Sequence, residues 1–311
     1  MPNITLATTG RQAPWIGIGT SGEWGSSSEA LEAAGLDFHV RQEQLFWNHQ
    51  ISPGVVQEEP APMFGNVRDT DDQLLGCVTP QYRIIQNRDA FGLIDPFLNN
   101  GKITHAGMTS DGLVFMIAEL AVKGICGEEY AINIMATNSF NTRYPCQIIL
   151  TPVRIICQNM YRGLVKDRIF LAKHTTAADD RLRRIASSGA VDKTVLAFTE
   201  IVENSQSRVL PMQQMQMLIA MLFPYPKDAG PREATFKAKA DEQRRKFMER
   251  YYDAPDNRIH HGTSFGFINA YMDWLSHREP ARNTGMAWAD RRFQGIVSGL
   301  DIDNRVIKNA L

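Results

Sequence analysis

Residues 137–159 read TNSFNTRYPCQIILTPVRIICQN, two apolar runs around a polar turn that set Asn138, Asn141, Arg154, Gln158 and Asn159 beside a β-rich core. Working outward, the same character holds from residue 102 to 157. Runs rich in β-branched and aromatic residues at 113–118 (LVFMIA), 130–135 (YAINIM) and 147–156 are separated by Ser110-Asp111-Gly112, Lys123-Gly124 and residues 138–144. Short apolar runs punctuated by polar or glycine turns predict an antiparallel meander. RIFLAKH at 168–174 predicts one more strand, and the expected sheet has one buried and one polar face.

Beyond Thr175 the spacing becomes helical. Helices are expected over 181–202, 212–223, 231–252, 263–277 and 287–300, with Thr175, Thr176 or Asp179 available as caps. Met212, Met215, Met217 and Met221 recur at roughly helical intervals and read as core packing, since methionine fills irregular gaps. The fold class is therefore α+β: antiparallel sheet and flanking helices in the N-terminal and central part, a helical C-terminal part. Residues 1–175 form the loop-rich start and sheet, and residues 176–311 the helical region, either separate or packed on the sheet as one unit.

Toward the N-terminus, Ser26 and Glu29 form a capping box for a short helix through Ala34 that stops at Gly35. Gly17, Gly19 and Gly22 fit G-x-G-x-x-G formally. A dinucleotide site needs a strand before and a helix after those glycines, and Arg11-Gln12-Ala13-Pro14 and Glu23-Trp24-Gly25 supply neither, so a turn is expected. Residues 51–72, with Pro53, Gly54, Pro60, Pro62 and Gly65, read as an extended surface excursion. Strand character follows at 74–77 and 82–85. Asn87 is placed to cap a helix over 88–97 that Pro96 kinks or ends.

Composition excludes several classes. With 311 residues, 43% of them apolar, most of the chain can bury a core. No run of 18 apolar residues occurs, and Met1-Pro2-Asn3-Ile4-Thr5-Leu6 lacks a basic flank before a hydrophobic segment, so neither a membrane span nor a secretory signal is expected and the cytoplasm is the expected location. Cys77, Cys126, Cys146 and Cys157 form no C-x-x-C pair and read as reduced thiols, Cys146 and Cys157 in the core. Net charge is −1, but residues 1–150 hold 8 Lys and Arg against 16 Asp and Glu, while residues 151–311 hold 25 against 18. An acidic first half and a basic second half can orient a chain on a polyanion or pair one subunit with the next; two solvated faces are the plain alternative.

No motif names a reaction. There is no nucleotide-binding P-loop, no H-E-x-x-H and no zinc ribbon. Adjacent His260 and His261 diverge in any regular element, and His277 lies a helix away. Asp69, Asp71 and Asp72 read as solvated loop acids, and Ser139 as a turn residue. No cofactor and no metal is expected. The helix bearing Lys237, Lys239, Arg244, Arg245, Lys246 and Arg250 also bears Glu233, Asp241, Glu242 and Glu249, so a salt-bridged solvated face competes with nucleic-acid contact.

Several short motifs resemble a family of phage- and plasmid-like proteins that carry a domain of unknown function. They are Pro14-Trp15 with Gly17 and Gly19, residues 34–38 (AGLDF), Tyr82-Arg83 with residues 86–91 (QNRDAF), Thr137-Asn138-Ser139, residues 151–154 (TPVR) and Cys157-Gln158-Asn159. His174-Thr175, Gly262-Thr263, Asn269-Ala270 and His277 extend the likeness. Pro96 and the excursion over 51–72 depart from it. The resemblance implies a mobile-element gene acting in the bacterial host cytoplasm, and the order helix, hairpins, long helix is similar in outline to ring-forming single-strand annealing proteins, a fold-level analogy.

A single-stranded DNA site needs basic groups along the backbone and planar or polar groups near the bases. Arg154, Arg162, Arg168 and Lys173, with Asn138, Asn159 and Tyr161, are the candidates. Each also has a structural reading: Asn138 a turn former, Asn159 a helix cap, Arg154 an ion pair with an acid such as Glu119, Tyr161 a core aromatic, and Arg162, Arg168 and Lys173 solvated charges. The leading expectation is a non-enzymatic homo-oligomer that binds single-stranded DNA in recombination or replication. Alternatives are a structural or host-interaction protein using the acidic half, and a metal-dependent hydrolase built on Asp69, Asp71 and Asp89.

Overall fold

A computed structural model describes residues 13–164, 168–175, 189–226, 230–277, 288–299 and 302–311. Its centre is the hairpin of β6 (Leu113–Ile125) and β7 (Glu128–Ser139), closed by Cys126 and Gly127 at φ +47° and +81°. Two consecutive positive φ values match the right-handed twist of the flanking strands. Outward on one side lie β5 (Lys102–Met108) and β1 (Thr20–Trp24), each antiparallel to its neighbour. On the other side, β7 pairs with both β8 (Cys146–Leu150) and the two-residue β9 (Val153–Arg154), with Thr151 and Pro152 between them. β10 (Asn159–Met160) pairs with β9, and β11 (Arg168–Ala172) closes the edge beside β8. The meander expected from the strand runs is this eight-stranded sheet.

The expectation of one polar face is corrected. Successive residues of β6 point to opposite faces, yet all of 113–118 is buried. Val114, Met116 and Ala118 enter the large cluster with the helices, whereas Leu113, Phe115 and Ile117 pack with Trp15, Ile18, Phe293 and Val297 on the other side. The N-terminal turn carrying Trp15 and the helix over Trp288–Ser298 cover the face that solvent would otherwise reach. Continuous apolar runs, rather than alternation, are the signature of a strand buried on both faces.

α1 (Ser27–Ala33) starts as expected: Ser26 accepts from the Glu29 amide, and Gly35 sits at φ +65°. Glu29 accepts from the Gly25 amide, one residue before the cap, so the reciprocal box is displaced by one position. The helix expected over 88–97 is two short ones, α2 (Asn87–Phe91) and α3 (Asp95–Leu98), with Pro96 in the first turn of the second. Proline lacks a donor that the first turn does not use, so it begins a helix here rather than kinking one. Gln86, not Asn87, holds the cap position, and the Asn87 amide instead donates to the Leu36 carbonyl at 2.9 Å.

Residues 40–78 form a second sheet, β2 (Val40–Ser52), β3 (Val55–Arg68) and β4 (Leu74–Val78), so the expected excursion is a paired ribbon turning at Gly54. Only its base is buried, through Val40, Asn66 and Val67.

Helices follow in the second half: α4 (Ala190–Ser207), α5 (Met212–Leu222), α6 (Glu233–Asp253), α7 (Ser264–His277), α8 (Trp288–Ser298) and α9 (Asn304–Ala310). Residues 181–188 and the caps Thr176 and Asp179 lie outside the described residues. α7 is buried from Ser264 to Ser276, surrounded by sheet and helices. Met215 and Met221 pack on the core as expected, while Met212 and Met217 are exposed. All four cysteines are free, Cys146 and Cys157 buried. No described helix is long and apolar enough to cross a membrane.

Candidate nucleic-acid interface

The seven residues singled out from the sequence separate into buried and exposed groups. Arg154, Asn138, Asn159, Tyr161 and Arg162 are buried; Arg168 is exposed at the start of edge strand β11 and Lys173 just past its end. A phosphate backbone needs reachable cations, so the five do not line an open groove as placed here.

Arg154, 1% exposed, is the hub between sheet and helices. Its guanidinium donates to both oxygens of Glu128 at 2.6 and 3.0 Å, and to Asp256 through carboxylate and main-chain carbonyl, each at 3.0 Å. Glu119, the acid considered from sequence, is not the partner. Glu128 sits at the hairpin turn and Asp256 in the 3₁₀ segment Pro255–His260, so one side chain ties β7 to the link between α6 and α7. His260 donates to Glu128 at 3.0 Å. Burial opposes charge on both partners, but the mutual hydrogen bonds and Coulomb attraction prevail: Arg154 is held above the ordinary arginine value, and Glu128, with His260 and Arg154 beside it, below the ordinary glutamate value.

The network continues through amides. Asn269 on α7 donates to Asp256 at 3.2 Å and to Asn257 at 3.0 Å, and accepts from Asn159 at 3.0 Å and from the Tyr161 hydroxyl. His277 donates to the Asn159 side chain at 3.1 Å. Asn159 therefore fixes a strand to a helix rather than capping one. Asn138 lies in β7, not a turn, and serves a separate link, donating to the Ile85 carbonyl at 2.9 Å and to Asn87 at 3.2 Å. Arg162 donates to the Val297 carbonyl of α8, and Arg168 to Gln147 at 3.2 Å.

The exposed surface that combines cations with planar groups lies elsewhere, on the first half of α6 and the loop before it. Tyr225 and Phe236, 42% and 36% exposed, carry cations over their rings: Arg244 and Lys237 at 4.0 and 5.2 Å from the Tyr225 centroid, Arg232 and Lys239 each at 5.8 Å from that of Phe236. Arg244 is fixed by two hydrogen bonds to the Phe223 carbonyl, and the Tyr225 hydroxyl donates to Asp241 at 2.6 Å. The neighbouring stretch of α6 differs: Arg245 and Lys246 pair with Glu242, and Arg245 also with Glu249. The salt-bridged face expected from sequence is confined to that set. Sequence reading singles out neither ring: Phe236 falls at helical spacing among the bases, whereas Tyr225 lies outside the helix and is brought there by the loop.

Of the acids offered as a hydrolytic centre, Asp71 pairs with Arg68 and Asp69 accepts from the His39 amide at 3.1 Å, whereas Asp89 is exposed on α2; the neighbouring loop acid Asp72 pairs with Arg41 at 2.6 Å. Among the described residues no three His, Cys, Asp or Glu gather as a metal site, and His261 turns away from His260 to the Tyr251 carbonyl at 2.9 Å.

No curated protein and no solved structure matches the chain. Residues 74–294, from β4 into α8, match the family described as a domain of unknown function (DUF932), and the chain belongs to that family.

Proposed function

We propose that the protein binds single-stranded DNA without sequence preference, and that the exposed face formed by Tyr225, Phe236, Arg232, Lys237, Lys239 and Arg244 is the contact surface. The observation that carries this reading is the pairing of each exposed ring with two cations. Bases stack on aromatic rings and guanidinium planes, while lysines track phosphates; both are needed for a strand whose bases are unpaired. A duplex, whose bases are stacked inside, gains only the phosphate contacts. Arg168 and Lys173 extend the phosphate contacts if the strand reaches β11. Several copies acting together, holding strands extended with bases exposed, would support annealing in phage or plasmid recombination or replication inside a bacterial host.

The test is binding of a fluorescent single strand and its matching duplex over a salt series. The reading expects preference for the single strand, weakening with salt, and loss on Tyr225→Ala with Phe236→Ala. Salt-independent affinity, equal affinity for the duplex, or unchanged binding by the double variant sinks it.

A further inference from the structure

The ribbon of β2 and β3 has two unlike edges. Along β3, the base is covered by β4, and farther out five residues, 60–64, span what three residues of β2, 44–46, span, with Pro60 and Pro62 inside that bulge and Gln44 bonding the carbonyls of Ala61 and Met63 across it. Bulges and prolines are the means by which an edge is kept from recruiting another strand. β2 carries no such protection. Its thirteen residues contain no proline, no strand among the described residues pairs with its outer edge, which only Gln86 bonds at the Val40 end, and Phe46 and Trp47 at its middle are 57% and 49% exposed. A two-stranded ribbon this long is only marginally stable alone in water.

The ribbon's chemistry selects among partners. From residue 42 to 67 there is no lysine or arginine, while Glu43, Glu58 and Glu59 are present, so a polyanion is repelled and a protein strand is favoured. β2 is complementary to itself. An antiparallel pairing about a two-fold axis at Phe46 sets Phe46 opposite Phe46, Leu45 opposite Trp47 and Glu43 opposite His49, with apolar residues central and a carboxylate facing an imidazole outside. A closed two-fold contact presents the same patch from both subunits, and cross-strand pairs of these kinds stabilise a sheet. We propose that the outer edge of β2 pairs with the same edge of a second copy, joining two ribbons into one four-stranded sheet. This deepens the assembly part of the reading above by assigning its surface; it does not depend on which face binds DNA.

The test is site-specific cross-linking in a chain whose exposed Cys77 and Cys126 are changed to serine. Phe46→Cys is expected to form a disulfide-linked dimer on mild oxidation, and Ser52→Cys, about 40 Å from its counterpart in that register at ~3.4 Å per residue, is not. Mass photometry of the unmodified protein is expected to show dimers, with Phe46→Lys combined with Trp47→Lys weakening dimerisation at least about 100-fold, as central aromatic anchors do. Both side chains are outside the core, so the melting temperature of the monomer reports whether the fold persists. A monomeric wild type, dimers that survive the lysine pair, or cross-linking of Ser52→Cys equal to that of Phe46→Cys overturns the proposal. Single-strand binding by the lysine variant separates its failure from that of the DNA reading: binding retained with dimers lost confirms the β2 surface alone.

Discussion

Arg154 and Arg244 are the same residue type set over aromatic rings in opposite surroundings. The first lies 5.7 Å from the Phe265 centroid, walled in with two carboxylates; the second lies 4.0 Å from that of Tyr225, on a face open to solvent. A buried cation with all its donors engaged is committed to holding two parts of the chain together. A half-buried one, anchored to a main-chain carbonyl and resting on an exposed ring, still presents part of its plane to a ligand. Charge alone does not assign a role; the partner groups and the water around them do.

The largest effect that would separate the two regions is on stability. Arg154→Ala strands Glu128 and Asp256 in a buried site and is expected to cost about 3–5 kcal/mol in urea unfolding, against no comparable loss for Arg244→Ala. A loss below about 1 kcal/mol would mean that water reaches the junction and that the contrast is wrong.

Next, Tyr225→Ala is expected to weaken single-strand binding about 5- to 100-fold in a fluorescence titration while leaving the melting temperature in place. An equal loss of binding and stability would turn the exposed face into another structural contact.

Acid should act on the body of the fold and not on the α6 face. Burial holds His105 down at about 4, against 6.5 when unfolded. The unfolded chain therefore binds the extra proton first, and stability is expected to fall as pH drops from 6.5 toward 4. Glu128 has a folded value below its ordinary 4.5, so its contribution is complete above 4.5 and is lost on further acidification. The His105 effect is at most a few kcal/mol, and both effects are read from urea midpoints across pH. His105→Phe is expected to flatten the first segment only.

The smallest effect sharpens the other side. Lys237→Gln is expected to cut affinity a few-fold and to lower the slope of log affinity against log salt by about 0.7, the value for one single-strand phosphate. An unchanged slope would remove that lysine from the contact surface.

Legibility in the sequence followed the range of the forces involved. The strands of residues 113–156 and the helix over 212–222 were readable because β-branched runs and helical spacing are local. Burial of both sheet faces was written in the uninterrupted LVFMIA run but depended on Trp15 and Phe293, nearly 280 residues apart in sequence, meeting on one face. The β2 and β3 ribbon escaped because Pro60, Pro62 and Gly65 look like loop and its exposed faces impose no alternation. Arg154 stood out in TPVR, yet its partner Asp256 is 102 residues away, and local spacing cannot choose among so many acids. Asn138 and Asn159 stand out in the sequence as polar residues within apolar runs, and in the fold they are internal ties.

The tight turn at Cys126 and Gly127 also sets an order of assembly. It brings β6 and β7 together with almost no chain to close, and the Arg154 to Glu128 pair spans only 26 residues, so both form from contacts available early on the ribosome. Asp256 arrives about a hundred residues later. Until then Glu128 alone neutralises Arg154, sparing the half-made sheet an uncompensated charge while it waits for the helices that will cover it.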